Sequence, residues 1–126
     1  MQASLVPVTL HVDMAVIRAY AELTQDFNPI HLDRAMAAAS PMGGVIAHGT
    51  LSICLLWQAV SGTLGSRALE KGADLDIRFI KPVREGETIS AGGQLLAGEP
   101  GCFEVWVRGD DGSERVTGIL RLAAAA

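Results

Sequence analysis

After His48 the chain reads Gly-Thr-Leu-Ser-Ile-Cys-Leu-Leu-Trp-Gln-Ala-Val-Ser-Gly, with apolar side chains at nearly every azimuth of a helix. A helix apolar all round is buried all round, so the rest of the chain has to enclose it. Beyond this helix the period changes. Leu75, Ile77 and Phe79 alternate with Asp74, Asp76 and Arg78; Phe103, Val105 and Val107 alternate with Glu104, Trp106 and Arg108; Val116, Gly118, Leu120 and Leu122 fill one face of the last segment. These alternations predict half-buried antiparallel strands. A weaker strand is expected over residues 88–96, where Gly92 and Gly93 lower strand propensity and mark a bulge or a sharp bend. Asp111-Gly112 has the residues of a tight hairpin turn joining the last two strands. One buried helix followed by a run of antiparallel strands implies an α+β domain whose sheet wraps the helix.

Upstream, Asp13 is placed to cap a helix whose apolar residues Val16, Tyr20 and Leu23 recur at spacings of three and four, down to about Thr24. Pro29 removes an amide donor and pushes Asn28 out of helical geometry, so the chain turns there. Asp33 is placed to cap a second, short helix over residues 34–39, before the breaker Pro41-Met42-Gly43-Gly44. His11 ends a short first strand and is expected to be exposed, and residues 123–126 are expected to fray.

At 126 residues the chain is read as one domain, 1–126, so a composite site has to come from within it or from a second copy. No run approaches the ~20 apolar residues of a membrane span; the longest candidate covers residues 51–60, and a soluble chain is expected. Residues 1–9 show no export signal, which makes the cytoplasm the expected compartment. Cys54 and Cys102 lie far apart, without a ligand cluster near either, and read as small buried hydrophobes rather than as a disulfide or zinc ligands. A net charge of -4 with scattered Lys and Arg offers no basic stripe for nucleic acid.

The chemistry centres on Asp26 and His31. Their spacing separates them on a helix or a strand, and only a turn such as Asn28-Pro29 brings them together. A carboxylate and an imidazole around one water can deprotonate it and return the proton elsewhere. The spacing alone also fits a helix-terminus Asp and a surface His. The second feature is Ala47-His48-Gly49-Thr50 at the start of the buried helix. Free amides at a helix N-terminus, with glycine allowing close approach, suit a carbonyl oxygen that gains negative charge.

With these residues in view, Tyr20-Ala21-Glu22-Leu23-Thr24-Gln25-Asp26-Phe27-Asn28-Pro29-Ile30-His31 resembles the hydratase motif of the MaoC-like, (R)-specific enoyl-CoA hydratase family. Ala47-His48-Gly49 is similar to that family's oxyanion segment, and Arg78-Phe79-Ile80-Lys81-Pro82-Val83 to its strand and proline turn. Gln25 departs from the glycine of many members. The resemblance implies a hot-dog fold, a curved antiparallel sheet around a long central helix, paired in a homodimer, with higher assembly open and an acyl tunnel near the interface. It implies a coenzyme A thioester as substrate. Asp26 and His31 would bind the attacking water, Asp26 taking its proton and His31 sharing in delivery. The Gly49 amide would polarise the thioester carbonyl and Asn28 would orient the loop. No metal or redox cofactor is needed.

Trp57, two turns into the central helix, is read either as the cap of an acyl tunnel favouring short chains or as core packing. His48 is read as bonded to a nearby backbone carbonyl rather than as a substrate contact. Ser52 and Cys54 lack a base and read as core. Lys81 and Arg84 read as solvated turn charges rather than as coenzyme A phosphate ligands. A hot-dog thioesterase and a non-catalytic acyl-thioester-binding subunit are the rival functions.

Overall fold

The computed structural model describes residues 3–123. Strand β1 (Ser4–His11) leads into helix α1 (Met14–Thr24), the short helices α2 (Pro29–Leu32) and α3 (Arg34–Ala39), and the long helix α4 (Gly49–Leu64). Strands β2 (Ala73–Phe79), β3 (Thr88–Leu95), β4 (Cys102–Arg108) and β5 (Glu114–Leu122) complete the chain. All pairings are antiparallel, in the order β1-β3-β4-β5-β2, so β1 and β2 are the edges. No helix among the described residues is long and apolar enough to cross a membrane.

The core forms where the inward faces of the strands meet α4. Phe103, Val105 and Val107 of β4, Val116 and Leu120 of β5 and Ile89 of β3 pack with Leu55, Leu56, Ala59 and Val60. Period-two patterning located these strands because one face is covered and the other is not. Helix α4 lies over β1, β3 and β4.

Several expectations need correction. Helix α4 is not buried all round: Thr50, Cys54 and Gln58 form an exposed stripe at i, i+4, i+8 on the side away from the sheet. Cys54 is therefore exposed rather than a core hydrophobe, and Cys102 is half-buried; both are free thiols. The buried face of α1 is Met14, Ile17, Tyr20 and Ala21, leaving Val16 half-buried and Leu23 in solvent. Two apolar stripes share this helix, and packing selects the one that holds Ile17. Phe79 is 57% exposed, because at the end of the edge strand β2 its ring meets only the first residue of α4, Gly49. The bulge falls in β1 between Leu5 and Val8 rather than in β3. Gly92 and Gly93 instead admit close neighbours: a Cβ on Gly93 would lie 2.9 Å from the Glu104 carbonyl oxygen. The β4–β5 connection is wider than a two-residue turn, closed by the Gly109 amide on the Ser113 carbonyl.

Asp13 caps α1 through Val16 N–H, and Asp33 caps α3 through Met36 N–H, as their positions predict. His11 is exposed at the end of β1, its Nδ1 2.9 Å from Thr88 Oγ1. Ala123 is tied by its amide to the Gly72 carbonyl; the rest of the tail expected to fray, 124–126, lies outside the described residues.

Candidate active site

Helix α1 ends with Gln25 in the left-handed region (φ 58°, ψ 32°), and the Asp26 amide reaches back 3.1 Å to the Ala21 carbonyl. This six-to-one closure delivers Asp26 directly onto the turn. Its Oδ1 accepts from the Asn28 amide at 3.2 Å, and Asn28 Oδ1 in turn accepts from the Ile30 amide at 3.1 Å. Asn28 thus caps α2 with Pro29 at its first turn, where a missing N–H costs nothing. One turn later His31 is carried inward and buried.

His31 Nδ1 lies 2.7 Å from the Ile46 carbonyl oxygen. A carbonyl only accepts, so Nδ1 carries the proton and Nε2 keeps its lone pair. The segment that supplies this carbonyl is itself held: Ala47 N–H donates to the Val83 carbonyl at 2.7 Å, and Ile46 bridges to Arg84. His48 is next, at the N-cap of α4. Its ring stacks on His31 at 3.9 Å between centroids and 26° between planes. Tyr20 meets His48 edge-on at 5.1 Å, and its hydroxyl donates to Thr50 Oγ1 at 2.7 Å. Burial pushes the Tyr20 phenol above its ordinary pKa.

Ligand-capable atoms of Asp26, His31 and His48 all lie within 4.8 Å of one another. Two acceptors up to that far apart can share one water, each at about 2.8 Å. A metal ion fits less well. Imidazole lone pairs lie in the ring plane, and two rings stacked at 3.9 Å and tilted by 26° cannot both point at an ion about 2.1 Å away.

Beside the cluster opens a cavity of about 290 Å³ whose lining includes His48, Gly49, Ser52, Phe79, Ile80 and Val83. The Gly49 N–H begins α4 and has no intrahelical acceptor. A Cβ at Gly49 would sit 3.1 Å from Phe79 Cε1, closer than ordinary van der Waals contact, so glycine is what lets the ring pack there.

The structure brings Asp26, His31, His48 and Gly49 together, with Asn28 bracing the turn. Trp57 stands apart: it is half-buried against the core, and the lining of this cavity does not include it. Lys81 is exposed at the cavity rim, whereas Arg84 is committed to the Met42 carbonyl at 2.6 Å. Phe79, Ile80 and Ser52 were missed as cavity residues. A signal existed, since in an extended segment two consecutive apolar residues, Phe79 and Ile80, cannot both face the core.

A five-stranded antiparallel sheet against one long helix, with Asp26, His31 and His48 clustered beside the start of that helix, is the architecture of a hot-dog domain. The chain belongs to the family described as MaoC like domain, which it matches over residues 2–115. It is 36% identical to the (R)-specific enoyl-CoA hydratase of Aeromonas caviae over 86 residues, 66% of this chain and 61% of that protein. It is 41% identical to Nodulation protein N of Rhizobium meliloti (strain 1021) over 83 residues, 62% of this chain and 52% of that protein. The matched stretch thus spans between half and two thirds of these relatives. The solved (R)-hydratase of A. caviae involved in PHA biosynthesis superposes with a TM-score of 0.72 at 28% identity, covering 98% of each chain. The hot-dog fold expected from the sequence is the fold found.

Proposed function

We propose that this chain is an (R)-specific enoyl-CoA hydratase, adding water across the double bond of a trans-2-enoyl-CoA and reversibly acting as a 3-hydroxyacyl-CoA dehydratase. One observation carries the reading: Asp26 and His31 bring ligand-capable atoms within 4.8 Å of each other, and the Ile46 bond leaves His31 Nε2 as an acceptor. Two acceptors take the two hydrogens of one water and leave its lone pair free to attack the β-carbon. Asp26 takes the proton, and His31 shares in its delivery to the α-carbon. The enolate that forms between these events places negative charge on the thioester oxygen, where the Gly49 amide and the α4 N-terminus stabilise it. Neither a metal nor a redox group enters these steps; coenzyme A arrives with the substrate.

The R configuration is supported by the name of the A. caviae relative. A homodimer is supported by what one chain leaves open. Asp26 and Gly49 are exposed, β2 has a free edge, and Phe79 and Ile80 at the end of that edge are exposed. A second copy set beside β2 would cover that edge and exclude water from the site. Trp57 begins about 12 Å beyond Gly49 at 1.5 Å per residue; it lies outside the cavity of a single chain, so its indole would end an acyl tunnel only where a second copy extends that cavity.

The test tracks loss of the enoyl-thioester absorbance of crotonyl-CoA and longer enoyl-CoAs, with chiral analysis of product. Rapid loss giving the R alcohol, cut at least a hundredfold in Asp26→Asn and His31→Gln, is the expected result; Trp57→Ala should extend the usable chain length. Release of free thiol from saturated acyl-CoA would replace hydration with thioester hydrolysis, and no turnover of either substrate class would leave a binding subunit.

A further inference from the structure

We infer that His48 is a positioning residue, the clamp that holds the Asp26 turn in register with the Gly49 amide; this inference rests on the hydratase reading above. Three contacts converge on one ring. Nε2 lies 3.0 Å from the Asp26 carbonyl oxygen, the ring face lies on His31 at 3.9 Å, and the Tyr20 edge closes the other side at 5.1 Å. The residue's own backbone is the N-cap of α4, one peptide from Gly49. A single side chain therefore touches the backbone of the residue that takes the proton, the ring that shares it, and the helix that carries the oxyanion donor.

The way His48 is placed argues against a purely local role. N-cap positions favour Ser, Thr, Asp or Asn, whose side chains bond the first amides of the helix, and His48 makes no such bond. It is 4% exposed, and its Nδ1 is buried without a hydrogen-bond partner among the described residues. Burying an unpaired nitrogen is unfavourable, which makes the ring a poor choice for stability alone. The Asp26 carbonyl only accepts, so the His48 proton resides on Nε2 and Nδ1 is bare. That proton is committed to the backbone and is not available to the bound water. His48 and His31 thus form a stacked pair in opposite tautomers, one protonated on Nε2 and the other on Nδ1. What His48 contributes is geometry: an ångström of drift between the water-binding pair and the oxyanion donor is enough to cost about a hundredfold in rate.

The test compares wild type, His48→Phe and His48→Gln in crotonyl-CoA hydration, with the histidine tautomers of the wild-type chain read by long-range proton–nitrogen NMR. Phe keeps the ring stack without the donor, and Gln keeps an amide donor without the ring. The clamp predicts that His48→Phe lowers kcat at least thirtyfold with KM changed less than threefold, and that His48→Gln recovers kcat to within tenfold of wild type. It predicts one Nδ1–H and one Nε2–H tautomer for His31 and His48. An unchanged kcat in folded His48→Phe, or an Nδ1–H tautomer at His48, overturns it. The tautomers are read on the wild-type chain without turnover. A wild type that hydrates no enoyl-CoA therefore counts against the hydratase reading, while the NMR still decides the clamp even if the Phe variant fails to fold.

Discussion

Gln25 is the single non-glycine residue with positive φ among the described residues, and it sits one position before Asp26. An L side chain in this region costs roughly 1 kcal/mol relative to glycine, yet the α1 closure that delivers Asp26 requires it. The Gln25 side chain returns part of this through its amide, which donates to the Glu22 carbonyl at 2.7 Å. Gln25→Gly is expected to raise unfolding stability by about 0.5 kcal/mol and leave hydration unchanged, as urea titration and the crotonyl-CoA assay would show. A drop in stability would mean that the Glu22 bond outweighs the strain. At this scale the Asp26–His31 turn was legible because its bonds are local: Asn28 and Pro29 dictate it within six residues. That His48 bonds a backbone carbonyl was also expected, but its partner Asp26 was not, nor was the bond from His31 to the Ile46 carbonyl, since every residue has a carbonyl and no side-chain pattern says which one a distant imidazole will find.

Among the elements, the segment between β2 and β3 carries one wall of the cavity, and its anchor is electrostatic. Arg115 is 5% exposed, bonded to Glu87 at 2.8 Å, and its carbonyl receives the Ile80 amide at 2.8 Å. Burial pushes the Glu87 carboxyl up, but the Arg115 guanidinium and the Arg84 amide outweigh it and leave the group below its ordinary value. Asp111, bonded by the Ser113 hydroxyl and amide, is lowered to about 2. A carboxyl with a depressed folded-state pKa adds stability that is fully present above its unfolded value, about 4, and is lost as pH falls through the folded value. The melting temperature should therefore be level down to about pH 5 and decline from there toward pH 2. Glu87→Gln should melt lower at pH 7, because a buried guanidinium loses its charged partner, and should lose less on acidification to pH 3. Parallel declines for the two proteins in a pH series of thermal melts would remove Glu87 as the anchor. This ion pair was not read from the sequence, because Glu87 and Arg115 lie far apart along the chain and only the fold makes them neighbours. β4 and β5 were legible for the opposite reason, their covered faces being written in every second residue, and β2 follows the same rule at half-buried Leu75 and Ile77 but not at Phe79, which ends the edge strand exposed beside the cavity.

For the molecule as a whole, the exposed stripe of α4 decides whether one copy is enough. Helix α4 carries apolar side chains at most azimuths, and a single chain leaves Thr50, Cys54 and Gln58 uncovered beside the exposed Asp26 and Gly49. These facts are reconciled if a second chain, related by a two-fold axis, covers the stripe and the β2 edge together. Cys54 then becomes a reporter of assembly, because its thiol is exposed in one chain and shielded in two. The native protein should sediment at about twice the 13.2 kDa of one chain, and a thiol-reactive dye should label Cys54 at least tenfold more slowly than an unfolded control. Dilution into the range where the sedimenting mass falls should release both effects at once: faster labelling and loss of specific activity along the same concentration curve. Fast labelling of a fully active particle of single-chain mass would show instead that the site works without a second copy, and that the apolar character of α4 serves the core alone.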